Sequence, residues 1–319
     1  MSSSLRGNPL NSYTHTPVLL DEAIQGLDVR PDGIYADCTF GRGGHSKAIL
    51  GGLGDKGRLF VFDKDAKAIT CAENLFSCDH RVVVIHGSFL LLERVLGQHR
   101  VTACDGILLD LGVSSPQLED PGYGFSFLRD DELDMRMDRG SGISAAEWLN
   151  RAPQEEIADI IHHYGEERYS RRIAAAIVRA RQEAPISRTL QLARIVSKAI
   201  PTRERHKDPA TRSFQAIRIY INNELEEIRL VLEQVCNVLR PGGRLVVISF
   251  HSLEDRIVKR FLSSEARGDR FPLEVPVRAS ELNPRFRIIG KPIRATAEEV
   301  TVNPRARSAV LRIGERIAA

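Results

Sequence analysis

One short glycine-rich run, set between two apolar stretches, constrains the fold of this 319-residue chain more than any other feature. Residues 37–46 read Asp-Cys-Thr-Phe-Gly-Arg-Gly-Gly-His-Ser, and the second apolar stretch, 58–63, ends in Asp63. That acid follows the glycines by about twenty residues, a spacing typical of a nucleoside-cofactor site. Glycines let the backbone come close to a ligand, and a carboxylate after a strand can accept the ribose hydroxyls.

The spacing of the glycines indicates which kind of cofactor fits. The order is Gly41-x-Gly43-Gly44, which lacks the G-x-G-x-x-G spacing that cradles a pyrophosphate. The loop therefore favours a cofactor without phosphates, such as S-adenosylmethionine, over NAD. A plain strand-to-helix turn is the alternative, and Asp63 favours the functional interpretation.

Alternating short apolar runs and helix-spaced runs predict the fold class. The predicted buried strands are 34–38, 58–63, 82–86 and 105–110, and the predicted helices between them cover about 44–53, 65–76 and 88–98. Such alternation predicts an α/β fold with a Rossmann-like, doubly wound parallel sheet. The pattern resumes after residue 212 with a long helix over 213–239, a strand over 244–250, a helix over 253–263 and a last strand over 308–313.

The middle of the chain has a different character. Residues 117–142 are rich in Gly, Asp and aromatic residues and are predicted to form a long ordered loop. Helix-spaced apolar residues follow near 154–164, 168–182 and 188–200, and Ser144 with Glu147 forms a predicted capping box. We therefore expect three parts. They are a flexible tail over 1–16, a cofactor-binding domain formed by 17–116 and 213–319, and an inserted loop and all-helical domain over 117–212.

Composition narrows the class of protein. No apolar run approaches the ~20 residues that span a bilayer, and the polar residues 1–16 lack the apolar core of a signal peptide. The five cysteines form no C-x-x-C pair, so neither a disulfide framework nor a zinc site is indicated. We expect a cytoplasmic protein without a metal and without a membrane partner.

Basic residues are concentrated in two segments. Residues 162–212 carry 12 Lys and Arg against 5 Asp and Glu, and residues 255–319 carry 14 against 8. Basic and aromatic residues also alternate over 164–172, as on an RNA-binding face. A solvated surface is the alternative for each run, but three such runs, at 164–172, 206–212 and 303–308, favour a polyanionic partner such as RNA.

The fourth predicted strand ends in Asp110, followed by the turn Leu-Gly-Val-Ser-Ser-Pro-Gln. In methyltransferases that act on amino groups, an acid or amide at this place faces the methyl group. The N4 of cytosine and the N6 of adenine are poor nucleophiles, so acceptors for their hydrogens assist the reaction. A stacking aromatic is expected to come from Tyr123, Phe125 or Phe127, each of which can equally anchor the loop to the core.

His251 follows the strand predicted over 244–250. At that position its ring can contact a base or relay a proton. The alternative is that the segment caps the next helix through Ser252. The residues alone leave both roles open.

Five runs in order resemble the MraW/RsmH family, the bacterial 16S ribosomal RNA (cytosine-N4)-methyltransferases. They are residues 39–46, 105–117, 133–138, 164–172 and 248–256, and the resemblance extends from His15 to Ser308. It implies a Rossmann-like methyltransferase domain with an inserted helical domain for substrate recognition. It also implies methyl transfer from S-adenosylmethionine to N4 of one cytidine in the decoding centre, with 16S rRNA, within the small ribosomal subunit, as the partner. A homodimer is left open.

The resemblance carries the family's cofactor contacts onto positions of this chain, and these are Gly43, Gly44, His45, Asp63, Phe89, Asp110 and Gln117. Asp110 thus has two assignments, cofactor contact and proton acceptor, which can coexist. With His251 it forms the predicted catalytic pair. The candidate RNA contacts are Arg136, Arg168, Arg171, Arg172, Arg212, Arg305 and Arg307.

Two departures from the family pattern lie in the loop after the fourth strand. The family has an Arg before Gly-Phe-Ser-Phe, where this chain has Tyr123, and a Gly-Pro pair before Leu-Asp-Met-Arg-Met-Asp, where it has Asp131 and Glu132. Three other functions remain as alternatives: a DNA amino-methyltransferase, an RNA-binding assembly factor without catalysis, and, more distantly, an NAD-dependent reductase.

Overall fold

The computed structural model describes residues 17–202, 208–269, 278 and 282–318, and these contain a seven-stranded sheet. The expected tail over 1–16 lies outside the described residues. The strands in chain order are β1 Ile34–Asp37, β2 Arg58–Asp63, β3 Val82–His86, β4 Cys104–Asp110, β5 Leu239–Ser249, β6 Phe286–Arg294 and β7 Val310–Arg316.

The strand order across the sheet is β3-β2-β1-β4-β5-β7-β6. The first five strands in this order are parallel, whereas β7 runs antiparallel to β5, and β6 runs antiparallel to β7. The chain order reverses between β1 and β4, and ligands of such sheets bind at the carboxyl ends of the strands beside that point. The predicted α/β class with a doubly wound sheet is confirmed.

Helices cover both faces of the sheet. They are α1 Leu20–Leu27, α2 Gly44–Gly52, α3 Ala66–Phe76, α4 Leu92–Gln98, α11 Glu224–Val238, α12 Ser252–Arg267 and α13 Ala297–Val302. Successive residues of β4 serve opposite faces: Ile107 and Leu109 join the core beneath α11, and Leu108 joins the core that holds Ile49 of α2. This alternation explains why β4 reads as a continuous apolar run.

A third core lies in the middle of the chain. Its helices are α5 Ser115–Glu119, α6 Ala145–Arg151, α7 Gln154–Gly165, α8 Ser170–Glu183, α9 Thr189–Ala199 and α10 Thr211–Ile221. Buried Trp148, Ile161, Ile177 and Phe214 belong to one apolar cluster of these helices and the preceding loop. The predicted capping box is present at the start of α6, where the Glu147 N–H donates to Ser144 Oγ at 3.1 Å.

The prediction of one continuous helix over 213–239 is wrong. The structure has two helices there, because Asn223 adopts a left-handed φ of 53° between α10 and α11. The side chain of its neighbour Asn222 holds the preceding loop: Oδ1 accepts the Met137 N–H at 2.8 Å, and Nδ2 donates to the Met135 carbonyl at 2.7 Å. The break therefore makes an anchor for the loop.

Strand β6 was not predicted. Most of its side chains are exposed or half-buried, and Arg287, Lys291 and Arg294 interrupt its apolar residues. An edge strand of this kind has no continuous apolar run and carries the charges that protect an exposed edge. Among the described helices, none has both the length and the apolar character that crossing a bilayer requires.

Candidate functional site

A cavity of about 1220 Å³ opens at the carboxyl ends of β1, β2 and β4. Its position is the crevice beside the reversal of strand order. Predicted cofactor contacts contribute to its lining, and those that do so are Gly44, His45, Asp63, Phe89, Asp110 and Gln117. The fold thus brings these six residues together from four separate stretches of the chain.

The glycine turn shapes one wall of this cavity. Gly41, with φ of 57°, donates its N–H to Asp63 Oδ2 at 2.8 Å, which ties the turn to the end of β2. Gly43 also has positive φ, at 76°, but it lies behind the wall: a Cβ there would be 2.6 Å from the Phe40 ring. Its role in the structure is therefore to make the turn before α2 rather than to line the cavity.

Asp63 ends β2 as the sequence predicts. Its Oδ1 accepts the Asp65 N–H at 2.9 Å, and its Oδ2 accepts the Gly41 N–H. Burial raises the pKa of Asp63 to about 6 despite these hydrogen bonds, and the nearby charges of Asp65 and Asp37 act in the same direction. Each oxygen can accept a further hydrogen bond, so the group remains able to hold hydroxyl donors.

Asp110 ends β4 and faces the same cavity. Its N–H donates to Thr39 Oγ1 at 2.6 Å, and its Oδ2 lies 3.7 Å from His45 Nδ1. Since His45 Nε2 lies 3.1 Å from the Val18 carbonyl, which can only accept, that nitrogen carries a proton. Burial raises the pKa of Asp110 to about 6, opposed by His45 and reinforced by Asp37 and Glu254.

The loop after β4 is tied to the turn after β2. Gln117 Oε1 accepts the Ser114 N–H at 2.9 Å, and its Nε2 donates to Asp65 Oδ2 at 3.5 Å. The Tyr123 hydroxyl donates to the same Asp65 oxygen at 2.7 Å, and the Lys67 ammonium lies 4.8 Å from the Tyr123 ring centroid. Asp65 therefore joins the two loops that border the cavity.

The three aromatic residues proposed for stacking serve the loop's own packing. Tyr123 and Phe125 are 4% and 6% exposed and belong to the core of the helical segment. Phe127 is half-buried, with its ring centroid 4.7 Å from that of Phe214. The structure thus places all three as anchors of the loop.

His251 lies at the N-terminus of α12. Its Nδ1 accepts the Glu254 N–H at 3.4 Å, so the imidazole itself caps the helix rather than Ser252. Its Nε2 lies 3.2 Å from Glu254 Oε1. Glu254 and Phe250, rather than His251, line the cavity.

Glu254 is the residue of this region that the sequence reasoning missed. Its position three residues after the helix cap is the sequence signal of a capping box, which points to a structural role only. Glu224, His251 and Glu254 have potential ligand atoms within 4.8 Å of one another. Arg218 already binds both Glu224 oxygens, at 2.8 and 2.7 Å, so a cation there would have to displace a guanidinium.

Three of the seven candidate RNA contacts are engaged within the protein. Arg136 forms a bidentate pair with Asp134, at 2.7 and 2.9 Å. Arg305 lines the cavity and bonds Glu119 at 2.8 Å, and Arg212 lies 3.9 Å from Glu167. The exposed members of the set are Arg168, Arg171, Arg172 and Arg307.

The basic segment 164–172 of the helical region is linked to the start of α12 by the carboxylate of Glu166. Glu166, at the end of α7, bonds Arg256 at 3.0 Å and Ser252 at 3.1 Å, both at the start of α12. Arg168, whose guanidinium lies 4.5 Å from the Tyr169 ring centroid, follows two residues later. Residues 203–207, which include part of the predicted basic run 206–212, lie outside the described residues.

The cavity lining is acidic. Besides His45 and the thiols of Cys38 and Cys71, its ionisable side chains are seven carboxylates and four cations, namely Asp63, Asp110, Glu119, Asp120, Glu224, Glu227 and Glu254 against Arg42, Lys47, Lys64 and Arg305. One of the cations, Lys64, is paired with Glu227 at 2.6 Å. This surface suits a ligand that carries positive charge better than one that carries phosphates.

Comparison with known proteins connects this site to a family. The model described as the MraW methylase family matches residues 12–317. The resemblance seen in the five runs is thereby confirmed over nearly the whole chain.

Curated relatives share more than half of their residues with this chain. The ribosomal RNA small subunit methyltransferase H of Chromobacterium violaceum is 52% identical over 97% of this chain and 97% of its own length. The proteins of the same name from Legionella pneumophila and Thioalkalivibrio sulfidiphilus are 54% and 55% identical, over 95% of this chain and 99% and 98% of their own lengths. A solved rRNA methylase from Clostridium thermocellum, described as putative, has a TM-score of 0.46 and 13% identity, over 96% of this chain and 100% of its own, a likeness that supports no statement about function.

Proposed function

This chain belongs to the MraW methylase family, and we propose that it transfers a methyl group from S-adenosylmethionine to N4 of one cytidine in the decoding centre of 16S rRNA. The relatives named ribosomal RNA small subunit methyltransferase H, at 52–55% identity over 97–99% of their length, support an rRNA substrate. The atom and the nucleotide come from the family resemblance and from the chemistry of the site.

The acidic lining of the cavity is the observation that carries the choice of cofactor. Seven carboxylates against four cations suit a sulfonium ion, and the glycine turn lacks the spacing that binds a pyrophosphate. When bound, S-adenosylmethionine supplies an electrophilic methyl group on a positively charged sulfur. Asp63 would accept the ribose hydroxyls, and the other proposed contacts are the cavity-lining Gly44, His45, Phe89, Asp110 and Gln117.

Asp110 is proposed as the proton acceptor. One of its oxygens is buried and has no hydrogen-bond partner among the described residues, and its pKa of about 6 leaves it ionised at neutral pH. An ionised carboxylate at the end of β4 can receive the proton that the amino group loses. His251 is proposed to take part in catalysis indirectly, by contacting Glu254, which lines the same cavity as Asp110.

The helical segment over 117–212 is proposed to recognise the RNA, with 17–116 and 213–319 as the cofactor-binding domain. The exposed arginines of α8 support this division, because phosphate contacts position a nucleic acid on a protein. The proposed partner is 16S rRNA within the small ribosomal subunit, in the cytoplasm.

The test is transfer of labelled methyl from S-adenosylmethionine to small ribosomal subunits that lack the modification, followed by nucleoside analysis. Naked 16S rRNA and duplex DNA are assayed in parallel. We expect N4-methylcytidine on the subunits, and the naked RNA reports whether assembly is required. Label on DNA alone would favour the DNA methyltransferase, and no label on any substrate, with cofactor binding intact, would favour the assembly factor.

A further inference from the structure

Two carboxylate oxygens at the cavity accept fewer hydrogen bonds than buried polar atoms normally do. Within the part of the chain that the structure describes, Asp110 Oδ1 and Glu254 Oε1 are buried and accept no well-aligned hydrogen bond, although His251 Nε2 lies 3.2 Å from Glu254 Oε1 as an ion-pair contact. Both side chains line the cavity, one from the end of β4 and one from the start of α12. Because both atoms are acceptors, the missing partners are hydrogen-bond donors.

The protein holds Glu254 by its other oxygen. The side chain is completely buried, and Oε2 accepts the N–H groups of Phe250 at 2.8 Å and His251 at 3.2 Å. These bonds fix the plane of the carboxylate and leave Oε1 on the side of Gly112. A Cβ built on Gly112 would be 4.0 Å from Oε1, and Gly112 follows Asp110 by two residues.

The surroundings of the two carboxylates shift their pKa values in opposite directions. Burial opposes ionisation of Glu254, but His251 and Arg218 hold its pKa below the usual value, with Glu224 as the other acid of the cluster. Around Asp110, burial raises the pKa to about 6, His45 opposes this, and Asp37 and Glu254 reinforce it. One carboxylate therefore stays ionised while the other exchanges a proton near neutral pH, which is the division of roles expected of paired acids.

We propose that Glu254 Oε1 and Asp110 Oδ1 form a paired acceptor that binds the two hydrogens of the exocyclic amino group of the target base. This inference rests on the proposed function and adds a second catalytic residue to it. Glu254 holds one hydrogen throughout and so orients the nitrogen lone pair. A base with a carbonyl at this position, such as uracil, would place an acceptor against two acceptors and be rejected.

The reaction balances with these two groups. The N4 lone pair forms the bond to the methyl carbon, while the bond from that carbon to sulfur breaks and leaves its electron pair on a neutral thioether. The nitrogen, now positively charged, passes one proton to Asp110 Oδ1. Its remaining hydrogen stays on Glu254 Oε1.

The capping role of Glu254 requires a matched control. Glu147 occupies the same position in the capping box of α6, where its Oε2 accepts the Ser144 N–H at 2.9 Å. It is exposed and does not line the cavity. Glu147→Gln therefore reports what an amide does to such a cap alone.

The experiment compares wild type, Glu254→Gln and Glu147→Gln with small subunits as substrate. We expect Glu254→Gln to lower kcat ~100-fold, with the Kd for S-adenosylmethionine and the Tm close to those of wild type, and Glu147→Gln to leave kcat unchanged. The acid limb of the pH profile should also move below pH 6 in Glu254→Gln, because removing the neighbouring charge lowers the pKa of Asp110.

A second variant decides the matter if Glu254→Gln does not fold. Glu254→Asp keeps the charge but withdraws the oxygen by one methylene, so kcat should fall while the acid limb stays near pH 6. Wild-type kcat in either variant, or a fall matched by equal loss of cofactor binding, would overturn the paired acceptor. Failure of the wild type to form N4-methylcytidine would instead overturn the proposed function, and the inference with it.

Discussion

The apolar run of β4 predicts that Asp110 ends this strand. The pKa of its carboxyl group, in contrast, depends on how the rest of the chain folds around it. Burial in the cavity raises its pKa to about 6, so it titrates close to neutral pH. Neighbouring Leu111 and Gly112 contribute no ionisable group, and the carboxylates that shift its pKa come from distant parts of the chain. Sequence locates this side chain, and only the fold determines when it is charged.

The role of Asp110 as proton acceptor can be tested by removing its charge. We expect Asp110→Asn to lower kcat about 100-fold, as for loss of a general base, when methyl transfer to small subunits is measured. Asp55→Asn, an exposed acid at the opposite end of the strands, serves as the control. Full activity of Asp110→Asn would exclude proton acceptance by this carboxylate.

The second prediction concerns stability. The folded pKa of Asp110 is raised, so its ionised form destabilises the folded protein, fully above about pH 6 and not at all below its unfolded pKa of 3.8. Asp110→Asn should therefore raise the free energy of unfolding at pH 8 by on the order of 2 kcal/mol, and this gain should shrink steadily towards pH 4.5. Urea unfolding of both proteins without ligand measures it, and a gain that is constant with pH would contradict the assignment.

The break between helices α10 and α11 holds the loop over 117–142 in place through the side chain of Asn222. Asn222 bonds the backbone of Met135 and Met137 there and also donates to the Arg218 carbonyl at 2.9 Å. A buried amide with three such bonds is costly to remove, because its backbone partners are left unsatisfied.

We therefore expect Asn222→Ala to lower the free energy of unfolding by about 2–4 kcal/mol and to increase proteolysis within the loop. Asn223→Gly, one residue further on, should be nearly neutral, because glycine accepts the left-handed φ of 53° at that position. Denaturant unfolding and limited proteolysis measure both variants. Equal stability of Asn222→Ala and wild type would show that the loop is held elsewhere.

The elements that the sequence predicts well are those with a single dominant signal. Strands β1 to β4 are short apolar runs, and the turn with Gly41 and Gly43 has positive φ at both glycines. Strand β6 is not predicted from the sequence because its side chains are largely exposed. The place of Glu254 in the cavity is not predicted because a capping box already accounts for a glutamate at this position. Its proposed second role arises only where the start of α12 comes close to the end of β4, although Glu254 and Asp110 are 144 positions apart in the chain.

Charge is divided between two regions of the protein, the acidic cavity and the exposed arginines of α8. We expect the double substitution Arg171→Glu and Arg172→Glu to weaken binding of small subunits and to reduce the slope of log K against log salt by up to about 0.9 per lost phosphate contact. The Kd for S-adenosylmethionine should stay that of wild type, because neither arginine lines the cavity.

The control is Arg30→Glu with Lys56→Glu, two exposed cations that precede β1 and β2 at the other end of the sheet. It makes the same change in net charge and should leave subunit binding nearly unchanged. If both double variants weakened binding equally, the effect would be one of net charge, and α8 would have no special part in RNA recognition.

The bond from Tyr123 to Asp65 gives meaning to one departure from the family pattern. Where the resemblance places an Arg, this chain has a tyrosine whose hydroxyl donates to Asp65 at 2.7 Å. Both side chains can supply a donor to that carboxylate, but only arginine also brings a charge. A side chain at position 123 that donates to Asp65 can therefore be tyrosine or arginine, whereas phenylalanine would leave that carboxylate oxygen without this donor.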